Sequence, residues 1–175
     1  MWYVIWTSTA REDSGLKLIN ERFADLVDRA FVPKRTISRK YGKEWRMEKS
    51  ALFPGYFFID APENKIEDII TRLHSFSDFN MVLSTDGKIL PLTGEEAEFA
   101  DKLYSEGGNF DMSVGIIVGD KITVTGGPLI GLEGHITKIN RHKRIAYVDL
   151  KMFGKKTQSI VGLEIVERLT PDSAH

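Results

Sequence analysis

The chain of 175 residues has no cysteine. That excludes a disulfide scaffold, a thiolate metal site and a cysteine nucleophile, and it fits a reducing cytoplasm. No apolar run approaches the roughly 18 residues that cross a bilayer, so no membrane association is expected. Histidine is scarce. His74, His135, His142 and His175 lie at no metal-ligand spacing from one another or from a suitable carboxylate cluster. There is no glycine-rich phosphate loop of Walker or dinucleotide type, and no G-x-S-x-G elbow. Glu95, Glu96 and Glu98 sit at a predicted helix start, where the helix dipole favours anions, and that role accounts for them without paired-acid catalysis. No catalytic residue, metal site or cofactor is expected, and the reading turns from enzyme to binding protein. The opening Met1-Trp2-Tyr3-Val4-Ile5-Trp6 has no basic region ahead of it and reads as a strand rather than a signal peptide.

What is present is ordinary in amount and uneven in distribution. Apolar residues make up 42% and charged residues 28%, enough apolar side chain for a folded core. The net charge is −1, yet residues 1–113 carry 15 basic and 19 acidic groups while residues 114–175 carry 9 and 6. Within the acidic half lies a basic island, Lys34 to Lys49, with seven Lys/Arg against two Glu. It is either a solvated hairpin or a phosphate-facing surface.

Residues 2–7 (WYVIWT) are aromatic and β-branched and predict a strand. Ser14 resembles an N-cap, and Leu16, Ile19, Phe23, Leu26 and Val27 follow at helical spacing, predicting a helix over about 15–29. Tyr41-Gly42-Lys43 is a hairpin tip and Pro54-Gly55 a turn. Tyr56 to Ala61 is a strand, and Ile66, Ile69, Ile70 and Leu73 stripe a second helix opened by Glu63 or Asn64. Met81-Val82-Leu83 is a short strand followed by a turn at Asp86-Gly87. Thr93 with Glu96 is a capping box for a third helix that ends near Gly107-Gly108. The order β-α-β-β-β-α-β-α predicts an α+β sandwich over residues 1–106, with an antiparallel sheet and helices packed on it. Residues 107–117 read as a linker. From 118 to 170 helical periodicity is gone. Short strands near 121–125, 134–139, 145–150 and 158–167 alternate with turn signals, which predicts a small β-barrel.

Two segments are more specific: Leu52-Phe53-Pro54-Gly55-Tyr56-Phe57-Phe58, and Val118-Gly119-Asp120 through Gly134 with its Gly126-Gly127-Pro128 loop. With Trp2-Tyr3-Val4 at the start, these resemble the NusG family of transcription elongation factors. That family carries a W-Y-V strand and an F-P-G-Y segment in an N-terminal NGN domain. Its C-terminal KOW domain carries a G-D-x-V-x-V-x-x-G-P-x-x-G-x-x-G motif. The match spans nearly the whole chain in the family's order. The end of the barrel, Ser159 to Glu167, departs from the V-E-L/V-x-x-x-Q-V-E-K pattern of the housekeeping protein, and Arg141-His142-Lys143-Arg144 is an unusual turn. With the basic island of residues 34–49, also unusual, these departures resemble the specialised paralogues of the RfaH, UpxY and LoaP groups.

The resemblance implies a cytoplasmic, monomeric, non-enzymatic factor that binds RNA polymerase at the β′ clamp helices and promotes processive elongation and antitermination at selected operons. It implies a clamp-helix patch of Trp6, Phe53, Pro54, Tyr56 and Phe58, with Val82 nearby, the competing role for each being plain core. Arg11, Lys17, Arg35, Arg39, Lys40, Lys43 and Arg46 are candidates for upstream or non-template DNA. In the second domain, Lys138, Arg141, Lys143, Arg144, Lys151, Lys155 and Lys156 are candidates for RNA such as a nascent hairpin. Phe153 matches the turn aromatic through which the family binds NusE ribosomal protein or Rho. Two rival readings are a housekeeping NusG acting generally on pausing and Rho termination, and a KOW-type RNA-binding or ribosome-associated protein without polymerase contact.

Overall fold

The computed structural model describes residues 1–76, 79–82, 84–85 and 88–170, leaving aside the side chains of 79–82, 84, 85 and 88. The expected Asp86-Gly87 turn, and Leu83, lie outside the described residues. The chain forms two compact units. One comprises Met1–Pro33 and Phe53–Gly108, the other Lys34–Leu52 and Asn109–His175. The hairpin of the basic island thus groups with the C-terminal strands, which division of the chain at residues 106 and 118 does not anticipate.

In the first unit, β1 (Trp2–Thr7), β2 (Arg29–Phe31), β5 (Tyr56–Asp60) and β6 (Phe79–Val82) form an antiparallel sheet ordered β2-β5-β1-β6. Helices α1 (Glu12–Arg22), α2 (Ile66–Leu73) and α3 (Gly94–Ser105) accompany it, with a small ladder of β7 (Ser84–Thr85) and β8 (Lys88–Ile89). Strand alternation sends Tyr3, Ile5, Phe57 and Ile59 to one face, where Ile19 of α1, Phe23 just after it, and Ile66, Ile69 and Leu73 of α2 complete a buried core.

Helix α1 is shorter and earlier than its apolar spacing predicts. Its first turn takes the anions Glu12 and Asp13, which suit the positive end of the dipole. Leu26 and Val27 are buried from a turn, both backbone amides donating to Phe23 O at 2.9 Å. The next residues are drawn into the sheet, beginning with Asp28 N donating to Asp60 O at 2.8 Å. Thr93 is the N-cap of α3 in extended conformation, but its side chain makes no cap hydrogen bond, so the expected capping box is not closed from that side.

In the second unit, β3 (Lys34–Tyr41) and β4 (Glu44–Ala51) form a hairpin across Gly42 (φ +63°), and β9 (Asn109–Phe110) pairs with β3 in parallel. The remaining strands are β10 (Ser113–Val118), β11 (Lys121–Gly126), β12 (Ile136–Asn140), β13 (Ile145–Met152) and β14 (Lys155–Leu169). Their sheet order is β11-β10-β14-β13-β12. Residues expected as a linker therefore hold β9 and β10. The run from Val114 to Val118 is short, apolar apart from Gly115, and paired on both sides, as a strand of this composition can be.

Strand β14 joins the two halves of this sheet. Its first part pairs with β13 as far as Gly162, opposite Ile145, and from Leu163 it pairs in parallel with β10. At the handover a Cβ on Gly162 would run into the Met112 sulfur and stand 2.7 Å from Thr36 O. Glycine there lets the hairpin backbone lie directly on β14.

Candidate functional site

Of the expected clamp-helix residues, Trp6, Tyr56 and Phe58 lie on one face of β1 and β5, which pair with Trp6 opposite Tyr56 and Val4 opposite Phe58, while Phe53 and Pro54 lie in the turn that precedes β5. That face is divided in two. At one end Phe99 and Tyr104 of α3 close over it. Ring pairs Trp2–Phe31 at 5.3 Å, Phe31–Phe58 at 5.6 Å, Phe31–Tyr104 at 5.4 Å and Phe53–Phe58 at 6.1 Å form an aromatic layer there. Phe53 is 3% exposed and Phe58 0%. The expectation that these two form part of an exposed patch is corrected. They are the underside that α3 needs, and a strand face cannot both pack a helix and meet a partner at one position.

At the other end the face is open. Trp6 is 48% exposed, Pro54 is exposed and Tyr56 half-buried. Val82 pairs opposite Ile5 on β6, with its side chain outside the description. The turn beside Trp6 is held tightly. Thr7 N donates to Gly55 O at 2.7 Å, and Gly55 N donates to Glu12 Oε1 at 2.7 Å. Gly55 has φ +88°, and a Cβ there would lie 3.0 Å from Thr7 O and 3.5 Å from Trp6 Nε1. Glu12, buried and also accepting from Ala10 N at 3.2 Å, is a positioning residue that sequence reasoning missed. Its signal was one of charge order: an acid in the first helical turn, which the choice of Ser14 as cap set outside the helix. Glu12→Ala is expected to free the Gly55 amide and cost about 1–3 kcal/mol in urea unfolding, with faster amide exchange at Gly55.

The basic candidates do not form one site. Arg11 and Lys17 belong to the first unit, and Lys17 pairs with Glu21 at 3.9 Å. Arg35, Arg39, Lys40, Lys43 and Arg46 belong to the hairpin in the second. Arg35 is not a free surface cation. Its Nη1 donates to Ile160 O and its Nε to Ser50 Oγ at 3.1 Å, and burial, then the charge of Arg39, pushes it below the ordinary guanidinium value. Arg39 pairs with Glu48 at 3.4 Å, and Arg46 with Glu44 at 3.3 Å while lying over the Tyr41 ring. Lys40 and Lys43 are exposed. The C-terminal candidates separate to the two ends of β13, roughly 25 Å apart at ~3.3 Å per residue. Lys138, Arg141, Lys143 and Arg144 flank the β12–β13 turn, whereas Lys151, Phe153, Lys155 and Lys156 surround the β13–β14 turn. There Phe153 is half-buried at φ +60°.

The family model for the transcription termination factor NusG matches residues 1–100. The chain belongs to the NusG family. It is 26% identical over 180 residues to the transcription termination/antitermination protein NusG of Borreliella burgdorferi, spanning 96% of this chain and 98% of that one. It is likewise 26% identical to NusG of Lactococcus lactis over 172 residues, 95% of this chain and 91% of that. A solved structure of Thermotoga maritima NusG, 21% identical, covers 92% of each chain with a TM-score of 0.58 and shares the fold. The function class is accordingly that of the NusG family of transcription termination/antitermination factors. No helix among the described residues is long and apolar enough to cross a membrane.

One charge network of this NusG-family chain is structural. The Met1 ammonium and Arg29 Nε each lie 2.8 Å from the Asp60 carboxylate, and Arg29 also reaches Asp101 at 3.2 Å. Burial works to raise the Asp60 carboxyl, but hydrogen bonds from the ammonium and from Arg29 outweigh it and hold the group below its ordinary value. A depressed carboxyl stabilises the fold above the unfolded value of about 4, and the gain is lost as pH falls through the folded value. Asp60→Asn is therefore expected to cost about 1 kcal/mol at neutral pH. In urea titrations the gap between variant and parent narrows as pH falls from the unfolded value through the lower folded one.

Proposed function

We propose that this chain is a specialised bacterial elongation factor. It docks on the β′ clamp helices of RNA polymerase through Trp6, Tyr56 and Pro54 and promotes antitermination at selected operons. The observation that carries the docking reading is the exposed Trp6, paired with Tyr56 beside a turn pinned by Glu12 and Gly55. A large exposed aromatic on a rigid strand is costly in water, and aromatics of this kind anchor interfaces. The mechanism is mechanical: a factor that binds the elongating state more tightly than the paused state shifts polymerase toward elongation by that difference in affinity. The exposed cations of the hairpin and of the β12–β13 turn add salt-sensitive contacts to nucleic acid. Phe153 and the β13–β14 turn are the candidate contact for NusE or Rho. The specialised role is supported by the Ser159 to Glu167 ending and the Arg141 to Arg144 turn, which depart from the housekeeping pattern.

Multi-round transcription with purified bacterial polymerase tests this, with an intrinsic terminator behind either the protein's own operon leader or an unrelated one. Read-through confined to its own leader is expected. A general effect on both would indicate the housekeeping role, and no effect without co-migration with polymerase would indicate the RNA-binding alternative. Trp6→Ala is expected to weaken polymerase binding about thirtyfold, as interface hot spots of about 2 kcal/mol do, with an unchanged melting temperature.

A further inference from the structure

Part of each basic set, from the β3–β4 hairpin and from the β12–β13 turn, meets within the second unit in a feature that neither set anticipates. A cleft of about 530 Å³ lies between the β3–β4 hairpin and strands β13 and β14. Its volume is in the range of roughly 300–1,000 Å³ usual for ligand sites. Arg39 and Lys40 line it from the hairpin, and His142 and Lys143 from the β12–β13 turn. Two aromatic rings line it as well, Trp45 from β4 and Tyr147 from β13, both half-buried. No acidic side chain lines it among the described residues.

The walls are fixed before any ligand arrives. The Arg144 guanidinium lies 3.9 Å from the Trp45 ring centre, and Lys138 lies 5.6 Å from that of Tyr147. Arg35 ties the hairpin to β14 through Ile160 O, and Gly162 permits the close approach of Thr36. Planar rings beside cations in a concave site suit a ligand that is both anionic and planar. An acidic peptide would satisfy the cations and leave the rings unused. A duplex keeps its base faces stacked within itself and has none to offer Tyr147.

We propose that this cleft holds a segment of single-stranded nucleic acid, with a base stacked on Tyr147 and phosphates on Lys40 and Lys143. The proposal deepens the nucleic-acid part of the function above. It joins members of the two basic sets in one site that draws on both halves of the sequence and adds Trp45, His142 and Tyr147 to them.

The test is fluorescence anisotropy on the full chain, with a short labelled RNA, a DNA of the same sequence and the matching duplex. Both single strands are expected to bind, and the duplex at least about tenfold more weakly. Lys40→Ala with Lys143→Ala should lower affinity about tenfold. The double variant should also show a shallower salt dependence, by roughly 0.7 in slope for each phosphate it no longer neutralises. Tyr147→Phe should bind as the parent does. Tyr147→Leu should lose about fivefold or more, as removal of one stacked base does, with an unchanged melting curve. Equal competition by polyglutamate, equal binding of duplex, displacement by a free nucleoside monophosphate at strand-like concentration, or an unaffected Tyr147→Leu would each overturn the proposal. No polymerase enters these measurements, and Trp6→Ala should bind the strands normally, so the clamp-helix reading and this one fail separately.

Discussion

Gly127→Ala is expected to destabilise the C-terminal unit by about 3 kcal/mol or more and to lower its melting temperature by roughly 10 °C. Two costs act together. Gly127 has φ +94°, where an L side chain is strained by about 1–2 kcal/mol. A Cβ there would also stand 2.6 Å from Ser113 Cα and 2.7 Å from Met112 O. These are backbone atoms at the start of β10, so no rotamer change relieves the overlap. The loop must lift, and lifting it breaks the bond that Leu129 N donates to the buried Ser113 Oγ at 3.0 Å and pulls the fully buried Leu129 from the core. Gly131→Ala is the control. Gly131 is also at positive φ, +82°, but nothing lies within 4 Å of its Cβ position, so only the strain of about 1 kcal/mol applies. Circular dichroism of both variants in urea separates close approach from strain. Equal losses would mean that the Gly126-Gly127-Pro128 loop does not sit against β10.

The same loop shows what was legible in the sequence. Gly127 in it and Gly55 in the F-P-G-Y turn are positions where a side chain is excluded by geometry, so the composition records the constraint directly. Strands β1 and β5 and helix α2 were equally legible, because period and burial agree there. Ile66, Ile69 and Leu73 are both the helical stripe and the buried set. Misreadings arose where one local pattern served two tertiary purposes. Leu26 and Val27 continue the spacing of α1, yet the edge of the sheet claims the chain at Asp28 and ends the helix early. Ser113 to Val118 follows a polar glycine-rich tract and reads as tether, yet it is the central partner of β11 and β14. The basic island reads by charge as a solvated hairpin or a phosphate-facing surface, and only long-range packing shows that Arg35 donates to Ile160 and that Arg144 lies over Trp45. Charge and period are local signals, while the cleft is made by residues roughly a hundred positions apart.

Phe58→Ala is expected to unfold the N-terminal unit at moderate temperature, with a loss of about 3–5 kcal/mol. Sequence pattern placed Phe58 beside Trp6 as a docking residue, since both follow the same alternation on paired strands. The structure separates them by what covers each. Phe58 is fully buried, edge-on to Phe31 at 5.6 Å and stacked with Phe53 at 6.1 Å, under α3. Truncating it leaves a cavity in an aromatic layer whose rings hold one another in place, and little of that layer can collapse to fill it. Trp6 faces water, so its truncation removes little packing. The two substitutions should therefore dissociate. Phe58→Ala should lower thermal stability and lose polymerase binding only in proportion to the unfolded fraction, with normal affinity recovered at low temperature. Trp6→Ala should leave the melting curve in place and lose polymerase binding at every temperature. Tyr56→Ala, half-buried at the junction, should show a part of each effect. If instead Phe58→Ala stayed folded and bound polymerase as poorly as Trp6→Ala, the layer under α3 would have to open on docking, and the patch would extend along the whole strand face.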